Sequence, residues 1–345
     1  MNKFSFADLD VFQHMSLDQK VRKANQLIVA WNEEFQNNTY ISISGGKDSQ
    51  LLYSLVKEQS DKVPAVFINT GLEHDSVRKK GMELADKVLY PAMNFKEVLT
   101  KYGYPVISKE ISGKIYDYRS AKAHGKSSYV EKQFEGTYVS KNGKSNMMDI
   151  QKYKYLLGAP FRISNKCCDV MKKGPAKAYE KETGRKPFIG TLAEESMLRT
   201  KCWLKDGCNS FDTHRPTSRP LSVWTEQDVL RYIKENDIHI AEAYGNIVFT
   251  DEDGFEYDNV LFNDSSLPLK TTLAERTGCV FCMYGIAYDT KRFLRLKESE
   301  PKKYEYVMNG GKFDSEGYWI PNQDGLGYRF VIDWLNKNGG LKIQY

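Results

Sequence analysis

The chain has 345 residues, of which 28% are charged and 41% hydrophobic, and its formal net charge is +5 at pH 7. This composition is typical of a water-soluble globular protein, and no apolar run is long enough to cross a membrane. The first residues lack the basic-then-apolar order of a signal peptide, so we expect a cytoplasmic protein. The mild positive charge allows a nucleic-acid partner without requiring one. Six cysteines in a reducing compartment favour metal or redox chemistry over disulfide bonds.

The first predicted element is a packing helix within residues 16–37, in an N-terminal helical segment of residues 1–38. Its apolar residues recur at helical spacing: Val21, Ala24, Leu27, Ile28 and Trp31. After it, residues 40–43 alternate bulky and β-branched side chains as a strand does, and residues 51–56 return to helical spacing. The sequence therefore predicts a strand that enters a helix through the turn at residues 44–49.

This turn reads Ser-Gly-Gly-Lys-Asp-Ser and has the composition of a phosphate-binding loop. Gly45 and Gly46 permit positive φ and close backbone approach, so that free N–H groups at the start of the helix can face an anion. Lys47 adds a mobile positive charge, and Asp48 suits a Mg²⁺ ion that accompanies the phosphates. The alternative is a Gly-Lys-Asp turn that binds nothing. The predicted nucleotide ligands here are Ser42, Ser44, Gly45, Gly46, Lys47, Asp48 and Ser49.

The loop is not a Walker A loop, which has four residues between its first glycine and Gly-Lys-Ser/Thr. It resembles the pyrophosphate loop of the PP-loop ATP pyrophosphatase superfamily. That superfamily includes ATP-dependent thiolases, amidotransferases and the adenylyl-sulfate (APS and PAPS) reductases. The resemblance implies an adenine nucleotide alpha-hydrolase-like fold, that is, an α/β protein with a doubly wound parallel sheet.

Residues 63–71 form a second predicted strand, with Asn69, Thr70 and Gly71 at its carboxyl end, and a helix is predicted from about 74 to 89. Strand, helix, strand and helix at this spacing indicate a right-handed parallel unit that binds ligands at the carboxyl ends of its strands. The segment also resembles the second nucleotide segment of the APS/PAPS reductase branch, Phe-x-Asp-Thr-Gly. Because Asn69 replaces the acid, no charged role is expected for it.

Residues 112–148 show no apolar period and are predicted to be a long loop or insertion. Basic and aromatic side chains alternate here: Lys114, Tyr116, Tyr118, Arg119, Lys122, Lys126, Tyr129, Lys132, Phe134, Tyr138, Lys141 and Lys144. Cations for phosphates and rings for unstacked bases suit a single-stranded nucleic acid. A solvated lid over the nucleotide explains the same composition.

Two later segments also look like the reductase branch. Cys-Cys-x-x-x-Lys at residues 167–172 runs into a predicted helix, and Gly-x-x-x-x-Glu-Ser-x-x-Arg at 190–199 follows a predicted strand at 187–191. By this resemblance Gly190, Glu195, Ser196 and Arg199 are candidate nucleotide or substrate ligands, with Arg199 pairing an anionic group. The alternative for Glu-Glu-Ser is an ordinary helix start.

The remaining segments are predicted to be structural. Pro-Leu-x-x-Trp-Thr-x-x-Asp-Val at residues 220–229 also matches the branch, and it predicts a helix capped by Thr225 with a buried apolar stripe. Residues 249–270 form an acidic excursion with a turn at Asp253-Gly254, and we assign no calcium to it. The predicted domains are a nucleotide-binding domain at 39–235 and a C-terminal part at 236–345, with a basic aromatic helical tail.

Four cysteines form a doubled motif, an adjacent pair at Cys167 and Cys168 and a C-x-x-C at Cys279 and Cys282. Four thiolates fit tetrahedral zinc or an iron–sulfur cluster. The arrangement is similar to the assimilatory APS reductases, which implies a 4Fe–4S cluster on these four residues. Cys208 also looks like part of a motif and could replace Cys167. Zinc, or buried inert thiols, are the alternatives.

No cysteine follows Cys282, whereas the reductases need a nucleophilic cysteine in a C-terminal tail. We therefore expect ATP cleavage between the α- and β-phosphates, with Lys47, Asp48 and Arg199 as catalytic residues and Mg²⁺ as cofactor, in the service of iron–sulfur-dependent sulfur transfer to nucleic acid. The alternatives are an APS/PAPS reductase that binds adenylyl sulfate and uses an external thiol, and a non-catalytic regulator. Expected partners are an adenine nucleotide, a nucleic-acid substrate, a sulfur-donor or thiol-reductant protein and a second copy of the chain.

Overall fold

The computed structural model describes residues 2–126, 129–139, 150–258 and 267–345. The chain forms two compact units, each built from two separate stretches. Unit 1 comprises Met1–Tyr90 and Pro175–Gly278, and unit 2 comprises Pro91–Gly174 and Cys279–Tyr345. The units thus divide the chain differently from the three segments predicted at residues 38 and 235, because the chain leaves unit 1 after residue 90 and returns to it at 175.

The described part of the chain contains helices throughout its length. In chain order these are α1 (Phe6–Gln13), α2 (Leu17–Glu34), α3 (Lys47–Gln59), α4 (Asp75–Leu84), α5 (Phe95–Tyr102), α6 (Lys109–Ala123), α7 (Tyr129–Glu135), α8 (Lys166–Cys168), α9 (Gly174–Thr183), α10 (Met197–Asp206), α11 (Glu226–Glu235), α12 (Arg292–Ser299), α13 (Pro301–Met308) and α14 (Tyr328–Gly339). Two 3₁₀ helices lie at Gln151–Gly158 and Glu242–Tyr244, and a π-helical turn at Asp169–Lys173 joins α8 to α9.

The strands are short, and most of the longer ones belong to unit 1. In chain order they are β1 (Thr39–Ile43), β2 (Ala65–Ile68), β3 (Lys87–Leu89), β4 (Val106–Ile107), β5 (Lys186–Ile189), β6 (Asn209–Ser210), β7 (Thr217–Ser218), β8 (Ile247–Thr250), β9 (Glu256–Tyr257), β10 (Leu269–Thr271), β11 (Met283–Tyr284), β12 (Lys312–Phe313) and β13 (Trp319–Ile320).

Unit 1 is organised around a six-stranded sheet with the order β3-β2-β1-β5-β7-β6. All neighbouring strands are parallel except β6, which runs antiparallel to β7. From β1 the chain winds outward to β2 and β3 and then returns to β5 on the other side of β1. The strand order therefore reverses between β1 and β5, the place where sheets of this kind bind ligands. The predicted α/β class with a doubly wound parallel sheet is confirmed.

The sheet of unit 1 is covered on both faces. Ile41 and Ala65 belong to the large apolar cluster that also contains buried residues of α2, α3 and α11. Tyr40 and Val66 point to the opposite face, where Tyr179 of α9 packs on them. Because successive residues of a strand face opposite sides, this alternation places α3 on one face and α9 on the other.

Unit 2 has little sheet and depends on aromatic packing. Its two-residue strands β4 and β11 pair in parallel, and the buried ring of Tyr104 makes edge contacts with Phe161 and Tyr328. The guanidinium of Arg119 donates hydrogen bonds to the carbonyl oxygens of four residues at 156–161. Arg119 therefore supports the end of the 3₁₀ helix Gln151–Gly158 and is committed to the backbone of its own unit.

Residues 112–148 were predicted to be a long loop or an insertion; the loop is wrong at 112–123 and 129–135, and the insertion stays a prediction. This segment contains most of α6 and all of α7. Ser108 caps α6, and Ile111 and Ile115 are buried one turn apart, an apolar pair too short to show as a period. In α7, Phe134 is buried and so presents no ring to a base. Lys141 and Lys144 lie outside the described residues.

The helix predicted from about 74 to 89 is also corrected. The helix α4 ends at Leu84, and residues 87–89 form β3, which pairs in parallel with β2. Elsewhere the predicted helix within residues 16–37 is confirmed as α2, and Thr225 caps α11 as predicted. None of the helices in the described part of the chain is long and apolar enough to cross a membrane.

Candidate functional site: the loop after strand β1

The turn at residues 44–46 carries the chain from β1 into α3, with Gly46 at the N-cap position. Gly45 has φ +77°, and a Cβ there would overlap the carbonyl oxygen of Val77. Glycine is therefore required by both backbone conformation and space. The hydroxyl of Ser49 accepts a hydrogen bond from the Ser44 backbone N–H at 3.2 Å and donates one to the Gly46 carbonyl at 2.8 Å. The loop is thus held in shape by its own side chains.

Lys47 is buried within unit 1, which differs from the mobile cation expected. Its side chain is 2% exposed, and its Nζ lies 2.8 Å from a carboxylate oxygen of Glu226 and 3.6 Å from Asp48 Oδ1. Nζ also donates to the Glu275 carbonyl oxygen at 3.2 Å. Burial lowers the pKa of Lys47, but the Asp48 and Glu226 carboxylates outweigh it and the pKa is raised. Lys47 therefore ties the loop to the first turn of α11.

The backbone N–H of Lys47 also has a partner from a distant segment. It donates to the hydroxyl oxygen of Tyr244 at 3.2 Å. That hydroxyl is in turn 2.6 Å from the Thr277 hydroxyl. Tyr244 belongs to the 3₁₀ helix Glu242–Tyr244 and is only 2% exposed. Tyr244 thus packs directly against the loop, and Thr277 contacts Tyr244 from the next segment.

Asp48 has a donor set that fits a Mg²⁺ ion. Its Oδ1 atom is buried and has no hydrogen-bond partner among the described residues, although Lys47 Nζ lies 3.6 Å away. Mg²⁺ is typically held by one or two carboxylates together with phosphate oxygens and water. A single carboxylate is therefore sufficient protein ligation for such an ion when phosphate oxygens accompany it.

Gly190 and the residues after β5 approach the same loop. A Cβ on Gly190 would lie 2.8 Å from the Asp48 carbonyl oxygen, so glycine allows the two turns to meet. Glu195 accepts a hydrogen bond from the Leu192 N–H and pairs with Arg199. The pKa of Arg199 is lowered, because the effect of burial outweighs the opposing effect of the Asp48 charge. The structure thus brings Gly190, Glu195 and Arg199 to the loop.

Ser196 caps α10, because its hydroxyl accepts a hydrogen bond from the Arg199 backbone N–H. The helix-start alternative for this segment is therefore present in the structure. Arg276 lies 3.8 Å from Glu195 and joins Arg199 as a second cation beside the loop.

Residues 69–71 form a turn after β2, next to the end of β1. The Thr70 hydroxyl donates to Glu73 at 2.6 Å, and the Asn69 side chain accepts from the Gly71 N–H at 3.2 Å. Ser42 is half-buried on β1, in register with Val66 of β2. Because β1 and β2 are parallel neighbours, these residues lie at the same edge of the sheet as the loop.

Four of the predicted metal ligands lie in unit 2, namely Cys167 and Cys168 of α8 and Cys279 and Cys282 just before β11. The sulfur atoms of Cys167 and Cys168 are 4.0 Å apart, and Tyr284 contacts two of these cysteines through its hydroxyl and its N–H. A hydrogen bond from Cys167 lowers the pKa of Cys168 to about 6, and burial raises the pKa of Cys282 to about 11. Four thiols have the right donor chemistry for zinc or iron–sulfur.

As placed, these thiols do not assemble a metal centre. In residues 2–126, 129–139, 150–258 and 267–345, no group of three or more His, Cys, Asp or Glu side chains is arranged to hold a metal ion. Cys208 belongs to the apolar cluster of unit 1, and burial raises its pKa. Cys208 therefore lies in a different unit from the other four cysteines.

Four residues at the loop were missing from the prediction: Glu226, Tyr244, Arg276 and Thr277. Glu226 stands in the predicted helix start at 225–229, and its position one residue after the cap was the available clue. The other three come from stretches without a periodic pattern, where proximity to the loop depends on the fold of the whole unit.

Comparison with known proteins supports the motif analysis. Residues 127–283 match the family model described as the phosphoadenosine phosphosulfate reductase domain. This range contains the two cysteine motifs and the segment at 190–199, and it starts after the loop at 44–49. The resemblance to the reductase branch is confirmed over these residues.

A curated relative covers more of the chain. The uncharacterised protein MJ0973 of Methanocaldococcus jannaschii is 24% identical over 316 residues, which are 88% of this chain and 57% of that protein. The chain thus spans little more than half of that relative's length.

Two solved structures are similar in part. The NH₃-dependent NAD synthetase of Campylobacter jejuni in complex with nitrate has a TM-score of 0.34 and 11% identity, over 65% of this chain and 75% of that one. The Candida glabrata FMN adenylyltransferase in complex with ATP also has a TM-score of 0.34 and 11% identity, over 69% of this chain and 65% of that one. The fold class itself rests on the strand order of unit 1.

Proposed function

Since residues 127–283 match the phosphoadenosine phosphosulfate reductase domain model, we propose that the chain is a nucleotide-utilising enzyme that binds ATP at the loop after β1 and cleaves it between the α- and β-phosphates. The observation that carries the proposal is the loop itself. Gly45 turns the chain at the sheet's switch point, and Asp48 presents a buried carboxylate oxygen without a hydrogen-bond partner among the described residues.

In the proposed reaction, the pyrophosphate end of ATP lies on the N–H groups at the start of α3, where the helix dipole favours an anion. Mg²⁺ on Asp48 would supply positive charge to the phosphates. An acceptor oxygen attacks the α-phosphorus, the bond to the bridging oxygen breaks, and pyrophosphate leaves with that oxygen. Arg199 and Arg276, which both lie beside Glu195, would offset the developing negative charge.

Lys47 has a different role in this proposal from the one its sequence position suggests. Its ammonium group is committed to Glu226 and Asp48, so Lys47 acts as a positioning residue that fixes the loop relative to α11. Adenylation chemistry depends on positioned charge more than on an acid–base group.

We further propose that adenylation activates the acceptor for sulfur transfer, with nucleic acid as acceptor class. A sulfur nucleophile from a donor protein would form a bond to the acceptor atom that bears the adenylated oxygen, and the bond from that atom to the oxygen would break so that AMP leaves with the oxygen. The acceptor class is supported by the exposed cations Lys122 of α6 and Lys126 just after it, and by the exposed ring of Tyr129.

Support for a 4Fe–4S cluster is the thiol donor set of Cys167, Cys168, Cys279 and Cys282. Iron and acid-labile sulfide in protein purified without oxygen, both lost on replacing Cys279 and Cys282 with serine, would support the cluster. One zinc per chain without sulfide would instead assign these cysteines to a structural zinc.

The direct test is Mg²⁺-dependent ATP binding measured by calorimetry. We expect Asp48→Asn to abolish the Mg²⁺ dependence, because it removes the carboxylate charge and nearly preserves its shape. Asp61→Asn, an exposed aspartate of the same unit, is the matched control and should bind as the unchanged protein does. Equal Mg²⁺-dependent binding by Asp48→Asn would refute the site.

A second candidate function follows from the family match. An APS/PAPS-reductase-type enzyme would bind adenylyl sulfate at the same loop. An external thiol would attack the sulfur and AMP would leave, and a second thiol would then release sulfite as the two thiols form a disulfide. In this candidate function the attacking thiol is supplied by an added thiol protein. Sulfite release with thioredoxin and without ATP would favour this function, and a nucleotide-bound protein with neither activity would be a regulator.

A further inference from the structure

In the turn at residues 44–49 of unit 1, called here the phosphate loop, a backbone amide already donates a hydrogen bond to a side-chain oxygen. The Lys47 N–H, the first amide of α3, donates to the Tyr244 hydroxyl oxygen at 3.2 Å. Amides at this position of a helix are the donors that bind phosphate oxygens. The phenol oxygen therefore occupies a donor that an anion at the loop would use.

Several contacts hold the phenol in this position. Its hydroxyl lies 2.6 Å from the Thr277 hydroxyl, and its ring belongs to a buried cluster with Val77 and Ala241. A Cβ on Gly46 would lie 3.1 Å from the phenol oxygen, so the absence of a side chain there leaves room for it. The backbone N–H of Leu273 donates to the Tyr244 carbonyl at 3.1 Å. The contact is therefore built from four separate stretches of unit 1, at residues 46–47, 77, 241–244 and 273–277.

The phenol competes as a neutral hydroxyl. Burial raises the pKa of Tyr244, although Thr277 and Lys47 oppose this shift. A neutral hydroxyl is a weaker acceptor than a phosphate oxygen, since hydrogen bonds to charged groups are stronger. An anionic phosphate can thus replace the phenol, but only after the hydrogen bond to it is broken.

We propose that the Tyr244 hydroxyl is an internal substitute for a phosphate oxygen, and that nucleotide binding exchanges it for the phosphate. This inference rests on the proposed function and adds a step to it. In the free protein the loop amide is satisfied by Tyr244, and Thr277 keeps the phenol there. Binding turns the phenol away from Lys47, so that Tyr244 lowers the affinity of the loop for anions of any kind.

The test is calorimetric binding of pyrophosphate with Mg²⁺ to the full chain. We expect Tyr244→Phe to bind pyrophosphate roughly two- to tenfold more tightly, the factor that corresponds to one net hydrogen bond. Thr277→Val, which frees the phenol, should shift affinity in the same direction. Tyr232→Phe is the matched control, because its hydroxyl contacts Glu58 at 3.3 Å and not the loop, and it should leave affinity unchanged.

A second measurement does not depend on the ligand. Hydrogen exchange of the Lys47 amide in the free protein should be faster in Tyr244→Phe than in the unchanged chain and in Tyr232→Phe. Unchanged or weaker pyrophosphate binding by Tyr244→Phe would overturn this inference while leaving the proposed function intact. Failure of the unchanged chain to bind pyrophosphate or ATP would instead overturn the proposed function, and the inference with it.

Discussion

Removal of the carboxylate that neutralises Lys47 should destabilise unit 1. Lys47 Nζ and the Glu226 oxygen are 2.8 Å apart, with the two side chains 2% and 29% exposed. Breaking a buried ion pair by removing one partner costs about 3–5 kcal/mol. The partial exposure of Glu226 and the remaining Asp48 charge reduce this cost, so we expect Glu226→Gln to lower the free energy of unfolding by about 2 kcal/mol.

Thermal unfolding of the full chain measures the effect. At roughly 2–4 °C per kcal/mol for a unit of this size, Glu226→Gln should lower the Tm of unit 1 by about 4–8 °C. Glu235→Gln, an exposed glutamate of the same helix, is the matched control and should stay within about 1 °C of the unchanged protein. If Glu226→Gln and Glu235→Gln both have the Tm of the unchanged protein, the ion pair between Lys47 and Glu226 does not hold the loop in place.

The remaining predictions concern pH, the glycine turn and the thiols. Because the pKa of Lys47 is raised above 10.5, its contribution to stability should be complete below that pH and lost as the pH rises through the folded-state value, which an alkaline Tm series measures. Gly45→Ala should lower the free energy of unfolding by about 2 kcal/mol or more and weaken nucleotide binding. Gly254→Ala, also at positive φ but in open space, should lower the free energy of unfolding by about 1 kcal/mol and leave binding unchanged. Equal losses of stability and of binding in the two variants, measured by unfolding and calorimetry, would contradict the overlap at Gly45. In metal-free protein at pH 7, iodoacetamide should modify Cys168, whose pKa is lowered by the hydrogen bond from Cys167, before Cys282, whose pKa burial raises to about 11. The reverse order in a mass-spectrometric time course would contradict the thiol environment described here.

The start of the six-stranded sheet of unit 1 was predictable because the sequence pattern that specifies it lies within a short stretch. Residues 40–56 combine a strand, a glycine turn and an amphipathic helix within one short stretch, and each part has its own periodicity. The capping residue Thr225 was equally visible, since a cap and its helix are adjacent in sequence. Periodicity failed where helices are held by few apolar residues, as in α6, where only Ile111 and Ile115 mark the buried face among its apolar side chains.

The site could be predicted only in part, for the same physical reason. Glycines and acids of the loop are recognisable, but their partners depend on contacts between distant segments. Lys47 was expected to be a mobile cation, and only the fold shows that Glu226 and Glu275 surround it. Tyr244 contacts Lys47 although the two residues are 197 positions apart in sequence, and no local sequence pattern predicts such a contact.

The product of ATP cleavage tests the central proposal most directly. ATP radiolabelled at the α-phosphate is incubated with the full chain, Mg²⁺ and mixed RNA and DNA as acceptors, and the labelled products are separated. The account predicts AMP or an adenylylated acceptor together with pyrophosphate, and loss of this product in Asp48→Asn but not in Asp61→Asn. Labelled ADP, or the same products from Asp48→Asn, would contradict it.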